Sequence, residues 1–288
     1  MANCALAEVT DVIISVDCPP SEEYVEGHKK ILTYLKEGIE GFKSVTVIYQ
    51  ERNLGAVANC AFLKERAFAV SDRLIFTEDD NYFSPNFLVY MNQALGLYQN
   101  DDEVSSVAGY SSAEFVALKL SGNTIKSYNS SSWGIGLWRE KERRFEAVDR
   151  DYYEHILLDW PKAMKVFRYF PIALDNLINM FRAGADYGDT RRSCRNIIEN
   201  KFQICPKLSL VKNLGHDGSG LHGGTMLDDP YAAQTIDEAR SFEFIGTPVY
   251  SPETNRVVFN LGLSGKKYLK LARIIYSLVR YRMSHLNE

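Results

Sequence analysis

Three consecutive acids, Glu78, Asp79 and Asp80, close the apolar run Leu74-Ile75-Phe76-Thr77. Holding three carboxylates in one turn costs roughly 4 kcal/mol of repulsion per close pair at an effective dielectric of 20, and a divalent cation removes that cost. Oxygen ligands of this kind suit Mg²⁺ or Mn²⁺, which take one or two carboxylates and complete their shell with phosphate oxygens and water. The plainer alternative is a solvated acidic turn that caps the next helix. The flanks separate the two readings. The run 74–77 is too short for a helix and suits a buried strand. Ser84 as N-cap and Pro85 at the first helical position then predict a helix through Phe87, Met91, Leu95 and Tyr98. A strand-to-helix turn is where ligands collect in an open α/β sheet.

Two further stretches carry residues suited to binding. In 130–138, SSSWGIGLW, Trp133 and Trp138 enclose Gly134 and Gly136, a wall able to hold a sugar ring by stacking and close approach. A buried crossover with both tryptophans in the core explains the same residues. In 215–224, five glycines in ten residues exclude a packed element and predict a mobile loop, from which His216 or His222 can reach a pyrophosphate or a metal. An ordinary surface loop is the alternative.

Residues 12–16 (VIISV) and 45–49 (VTVIY) are buried-strand candidates, 24–36 is an amphipathic helix, and helical sequence follows 51–56 through Ala67. Strand, helix, strand, helix, strand predicts an α/β fold with a mostly parallel sheet. A short strand at 104–107, a helix-rich stretch at 140–182 with a boundary at Trp160-Pro161, and a strand at 208–211 complete the expected order. No dinucleotide-binding glycine fingerprint stands at a predicted strand-to-helix turn and no phosphate loop is present, so a metal is expected to grip any phosphate.

Composition narrows the class. The 288 residues, 45% hydrophobic and 24% charged, fit an ordinary globular chain with one continuous core. A net charge of −4 gives no general attraction to nucleic acid. Five scattered cysteines, with no C-x-x-C pair, imply reduced thiols and a cytoplasmic setting. The segment 266–282 interleaves Lys266, Lys267, Lys270, Arg273, Arg280 and Arg282 with apolar residues. Such a helix can lie on the inner face of an anionic membrane or pack on the domain with its charges solvated.

VIISVD, then ERNLGA opening a helix, then LIFTEDDNYFSPNFLVYM resembles the nucleotide-sugar half of an A-type (GT-A, Rossmann-like) glycosyltransferase fold, and within it the N-acetylglucosaminyltransferase I-like group and its bacterial relatives. The resemblance spans about 5–225 and divides the chain into a nucleotide-sugar half (1–112), an acceptor half (113–225) and a C-terminal extension (226–288). It implies Asp80 as the ligand of Mn²⁺ or Mg²⁺, Asp79 as a supporting acid and Glu78 as a contact to ribose or nucleotide. Asp17, Arg52, Asn53, Gly55, Trp133, Gly134 and His216 would line the donor site. An inverting transfer needs a carboxylate opposite the leaving phosphate, and the resemblance places it at Asp186, with Asp189 the second choice. An Asp at this point can equally cap the helix through Cys194 and Ile198.

Such folds begin with a strand ahead of VIISV. Here 2–9 reads as the end of a helix, so that first strand is expected to be missing. The implied function is metal-dependent transfer of a sugar from a nucleotide-sugar, a UDP-sugar by the resemblance, to a glycan or lipid-linked acceptor. The rivals are a sugar-nucleotide pyrophosphorylase and a non-catalytic descendant that binds a glycan or a protein.

Overall fold

The computed structural model describes residues 1–113, 123–184, 186–215, 231–238, 242, 244 and 265–285. β1 (Asp11–Val16), α1 (Val25–Lys36), β2 (Ser44–Tyr49) and α2 (Ala56–Val70) alternate as the sequence predicts. β1 and β2 pair in parallel from Asp11↔Ser44 to Val16↔Tyr49. Both carboxyl ends therefore fall on one edge, and Asp17 and the 50–55 turn leave from the same side. α2 packs on β1 and also on β3 (Arg73–Phe76), the strand that carries the acids.

The larger sheet corrects the expectation of mostly parallel strands. Its order is β3-β7-β5-β8-β6, with β5 at Val104–Ala108, β6 at Thr124–Ser127, β7 at Ile135–Trp138 and β8 at Phe202–Pro206. β5 and β8 are parallel, whereas β3–β7, β5–β7 and β6–β8 are antiparallel. The architecture is α/β with a mixed sheet flanked by helices. Strand direction was hidden from the sequence because every residue of β6, β7 and β8 is buried. β7 reads as an apolar run, and β6 (Thr-Ile-Lys-Ser) and β8 bury polar residues as well, so no polar–apolar alternation marks their direction.

Smaller departures have local causes. A short strand, β4 (Asn81–Phe83), intervenes after the acids and pairs antiparallel with β9 (Val211–Asn213). Ser84 still belongs to that pairing, since its N–H donates to Leu210 O at 2.8 Å. The helix α3 (Phe87–Leu97) consequently starts two residues beyond the predicted Ser84-Pro85 opening. The strand expected at 208–211 is replaced by β8 before it and β9 at its end. Residues 7–9 form a single 3-10 turn rather than the end of an α-helix. Ahead of it, Cys4 is buried and its thiol donates to Ser84 O at 3.3 Å.

The helix-rich stretch resolves into α4 (Arg139–Glu146), α5 (Arg150–Leu158), α6 (Trp160–Tyr169), α7 (Pro171–Ala183) and α8 (Gly188–Glu199). Asp149 and Asp159 cap α5 and α6, accepting the N–H groups of Tyr152 and Lys162, each at 3.1 Å. The basic C-terminal stretch forms α9 (Gly265–His285), which packs on α7 and α5. Two apolar clusters result. One joins α5, α6, α7, α8 and α9 through Ile156, Val166, Leu174, Leu177, Ile197 and Leu278. The other sets α3 against the large sheet, with Phe87, Tyr90, Met91 and Leu95 buried. Trp138 belongs to this second cluster, and its indole N–H donates to Leu95 O at 3.0 Å. The stretch 135–138 is thus strand and core, which corrects the reading of 133–138 as a sugar-holding loop. All five cysteines are free thiols. Among the described residues no helix is long and apolar enough to cross a membrane.

Candidate functional site

The acids leave the end of β3 just where β4 turns to pair with β9. Asp80 O accepts Leu214 N–H at 2.9 Å, and Asn213, beside it, donates through Nδ2 to Asn81 Oδ1 at 3.3 Å. Gly215 N–H is held by Asn213 Oδ1 at 2.9 Å. These bonds press the backbone of Gly215 on the Asp80 carboxylate so closely that a Cβ there would lie 2.2 Å from Oδ2. The other carboxylate oxygen, Asp80 Oδ1, is buried and has no hydrogen-bond partner among the described residues. An orphaned buried carboxylate oxygen is costly unless a donor or a cation meets it. Asp79 points outward and is exposed.

Glu78 turns the other way, towards the 130–134 loop and α8. Ser132 Oγ lies 3.4 Å from Glu78 Oε1 and 3.2 Å from Asp189 Oδ2, while Ser132 N–H donates to the same Asp189 oxygen at 3.1 Å. A serine hydroxyl carries one proton and two lone pairs. It serves both carboxyl groups at once only when one of them is protonated and donates back to it. Burial, then the charges of Asp80 and Asp189, push the Glu78 pKa up to about 7, against an opposing pull from the Ser132 hydrogen bond. Asp189 is also raised by burial, and the Ser132 backbone N–H, the Arg192 charge and the Ser132 hydroxyl oppose the rise.

The loop that presents Ser132 is fixed by residues with no signature in the linear chain. Gln203 of β8 accepts Ser131 N–H at 2.9 Å and donates through Nε2 to Ser106 Oγ and Ser130 Oγ at 3.0 and 3.1 Å. Ser193 Oγ, one turn beyond Asp189, accepts Ser130 N–H at 2.9 Å and donates to Asp189 O at 2.7 Å. Arg192 in the same turn grips Glu142 of α4 with distances of 2.9 and 2.7 Å and stacks 4.0 Å over Phe145. Lys64 of α2 adds a second cation to Glu142 at 2.8 Å. Burial pushes Glu142 up, yet Arg192 and Lys64 together hold it below the ordinary carboxylate value. α8, and with it Asp189, is therefore anchored to α2 and α4 through one buried anion.

The other expected residues divide. Asp17 is committed to the chain itself: its carboxylate accepts the N–H groups of Cys18, Leu54 and Gly55 at 2.9, 2.9 and 2.8 Å. Asn53 Nδ2 donates to Cys18 O at 2.5 Å. Gly55, with φ of 78°, opens α2 in a conformation that favours glycine. Asp17 thus closes the turn that starts α2, and Arg52 is exposed beside it. Gly134 has a packing duty, because at φ of 67° its Cβ would meet the Phe87 ring at 2.8 Å. Trp133 is half-buried and sits edge-on to Tyr110 and Tyr231, with ring centroids 4.7 and 5.2 Å away. Asp186 forms a paired contact with Arg191 at 2.9 and 3.1 Å on the surface. The cluster around Ser132 includes Asp189 rather than Asp186. His216 and His222 lie outside the described residues.

Among the described residues no three His, Cys, Asp or Glu side chains stand together as a metal cage. Asp80, with its unpartnered oxygen, fits a cation that takes one protein carboxylate and draws its other ligands from substrate and water. Neither a protein-family model nor a curated protein matches this chain.

Proposed function

We propose that the chain is a metal-dependent glycosyltransferase that moves a sugar from a nucleotide-sugar to a hydroxyl acceptor with inversion at the anomeric carbon. The reading is carried by one observation: Asp80, just beyond β3 and two residues from Glu78 of the Ser132–Asp189 cluster, has its Oδ2 against the Gly215 backbone and its Oδ1 buried without a hydrogen-bond partner among the described residues. A Mn²⁺ or Mg²⁺ ion on Asp80 would supply positive charge to a departing diphosphate. Asp189 is the better placed base, since Asp186 is engaged by Arg191. Its carboxylate takes the acceptor hydroxyl's proton as the new glycosidic bond forms. Ser132 holds that carboxylate in one orientation through its N–H and its hydroxyl.

The test is calorimetric titration of UDP with and without Mn²⁺, for the wild type and for Asp80→Asn. Binding that requires Mn²⁺ and is lost in the variant supports the reading, and metal-independent or absent binding opposes it. A second reading, a non-catalytic binder derived from the same fold, is favoured by Asp17, whose oxygens are already taken by backbone N–H groups. Metal-independent glycan binding that survives Asp80→Asn would select it.

A further inference from the structure

The helix α9 carries two apolar faces, and among the described residues only one packs on the rest of the fold. Ile274, Leu278 and Tyr281 are buried against α5 and α7. Tyr281 OH donates to Glu154 Oε1 at 2.8 Å, and Arg282 donates to Leu157 O at 3.0 Å with its guanidinium over Trp160. On the opposite side Leu269, Ala272, Tyr276, Val279 and Met283 follow one another at alternating steps of three and four, which keeps them in one line along a helix. Leu269, Tyr276 and Met283 are 63%, 65% and 60% exposed. Arg273 and Arg280 border this line, Lys270 lies beyond them, and 265–285 contains no acid.

We propose that this outer face of α9 docks on an anionic lipid surface, with the helix lying in the plane of the interface. Its apolar line would enter the headgroup boundary, with Arg273 and Arg280 on anionic headgroups and the Tyr268 and Tyr276 rings at the wet edge. Charge selects this occupant over a second copy of the chain. Pairing two such faces would bring rows of arginine together with no carboxylate on either helix to meet them. The fixed inner face turns the whole domain towards the surface, and the inference stands apart from the donor-site reading.

Deleting the helix would be a poor test, because Ile274, Leu278 and Tyr281 would go with it. The full chain should instead be floated with phosphatidylcholine vesicles, with and without phosphatidylglycerol, as wild type, as Leu269→Glu/Met283→Glu and as Arg273→Gln/Arg280→Gln. The expected result is wild-type binding only to the vesicles with phosphatidylglycerol, weakened about tenfold or more in each double variant. Unchanged unfolding midpoints would show that the fold is intact. Absence of wild-type binding, equal binding to neutral vesicles, or undiminished binding of both variants would overturn the proposal. So would a concentration-dependent dimer abolished by Leu269→Glu/Met283→Glu, which would give the face to a second copy. None of these outcomes bears on the UDP titration.

Discussion

The β1-α1-β2-α2 unit and the region around α8 are held by different physics. In the first, neither helix buries a residue, and apolar side chains such as Ile31, Tyr34, Val57 and Val70 face outward. Val16 is the one buried position of its two strands. Its order comes from the parallel ladder and from polar clamps: Asp17 on three backbone N–H groups, and Ser15 and Gln50 converging on Asn59 Oδ1 at 2.6 and 3.2 Å. Around α8 the strands are buried throughout, and the polar groups are linked to one another through Gln203, Ser132, Ser193, Arg192 and Glu142. A hydrogen-bonded clamp at the surface tolerates change nearby, whereas a buried network transmits it. The site residues with rigid support are those of the second region.

The sharpest test contrasts the two candidate bases. Asp189→Asn should lower the rate of sugar transfer on the order of a hundredfold or more, while Asp186→Asn, which breaks only a surface pair with Arg191, should change it less than about twofold. Equal losses would reverse the assignment of the base. Next in size is Glu142→Gln, which leaves Arg192 and Lys64 facing a neutral group and should cost about 3 kcal/mol in denaturant unfolding. Its pH dependence follows from the sign of the shift. Glu142 titrates below its ordinary 4.5 in the folded chain, so its contribution is complete above that value and is lost as pH falls through the lower folded value. Wild type and variant should converge in acid, and a constant gap would show that the network draws little from this charge.

Gly134→Ala should cost about 1–3 kcal/mol, because the added methyl meets Phe87 and the backbone is left-handed there. An unchanged thermal midpoint would mean that the Phe87 ring can move aside. Smallest is Ile31→Ser on α1, expected to stay within about 0.5 kcal/mol of wild type. Hydrogen exchange should agree, with β1 and β2 amides opening more easily than those of β7 and β8. Equal protection in the two regions would erase the comparison.

Legibility follows the same division. The element bounds of the first unit were readable nearly to the residue, since β1, α1, β2 and α2 are set by local periodicity and by turn residues such as Gly55, but the burial expected of 12–16 and 45–49 is met only at Val16. The acidic turn was readable as a strand end, but β4 rather than a helix follows it directly, and α3 starts only at Phe87. What misled was burial. Trp133 and Trp138 looked alike in the chain, yet Trp138 is core and Trp133 is half-exposed. Asp17, expected to serve a ligand, serves the N-terminus of α2. Ser132 stood in view beside Trp133 and still gave no sign of its role, because its partners are 54 and 57 residues away.

By itself, the sequence determined the alternating elements, the acids on the β3 turn and the two-sided character of α9, all of which depend on neighbours within a few positions. Only the tertiary structure decided the strand directions of the mixed sheet, the approach of Gly215 to Asp80, and the choice of Asp189 over Asp186 as the partner of Ser132. Those depend on contacts between residues far apart in the chain, where side-chain periodicity carries no information and packing alone sets which groups meet.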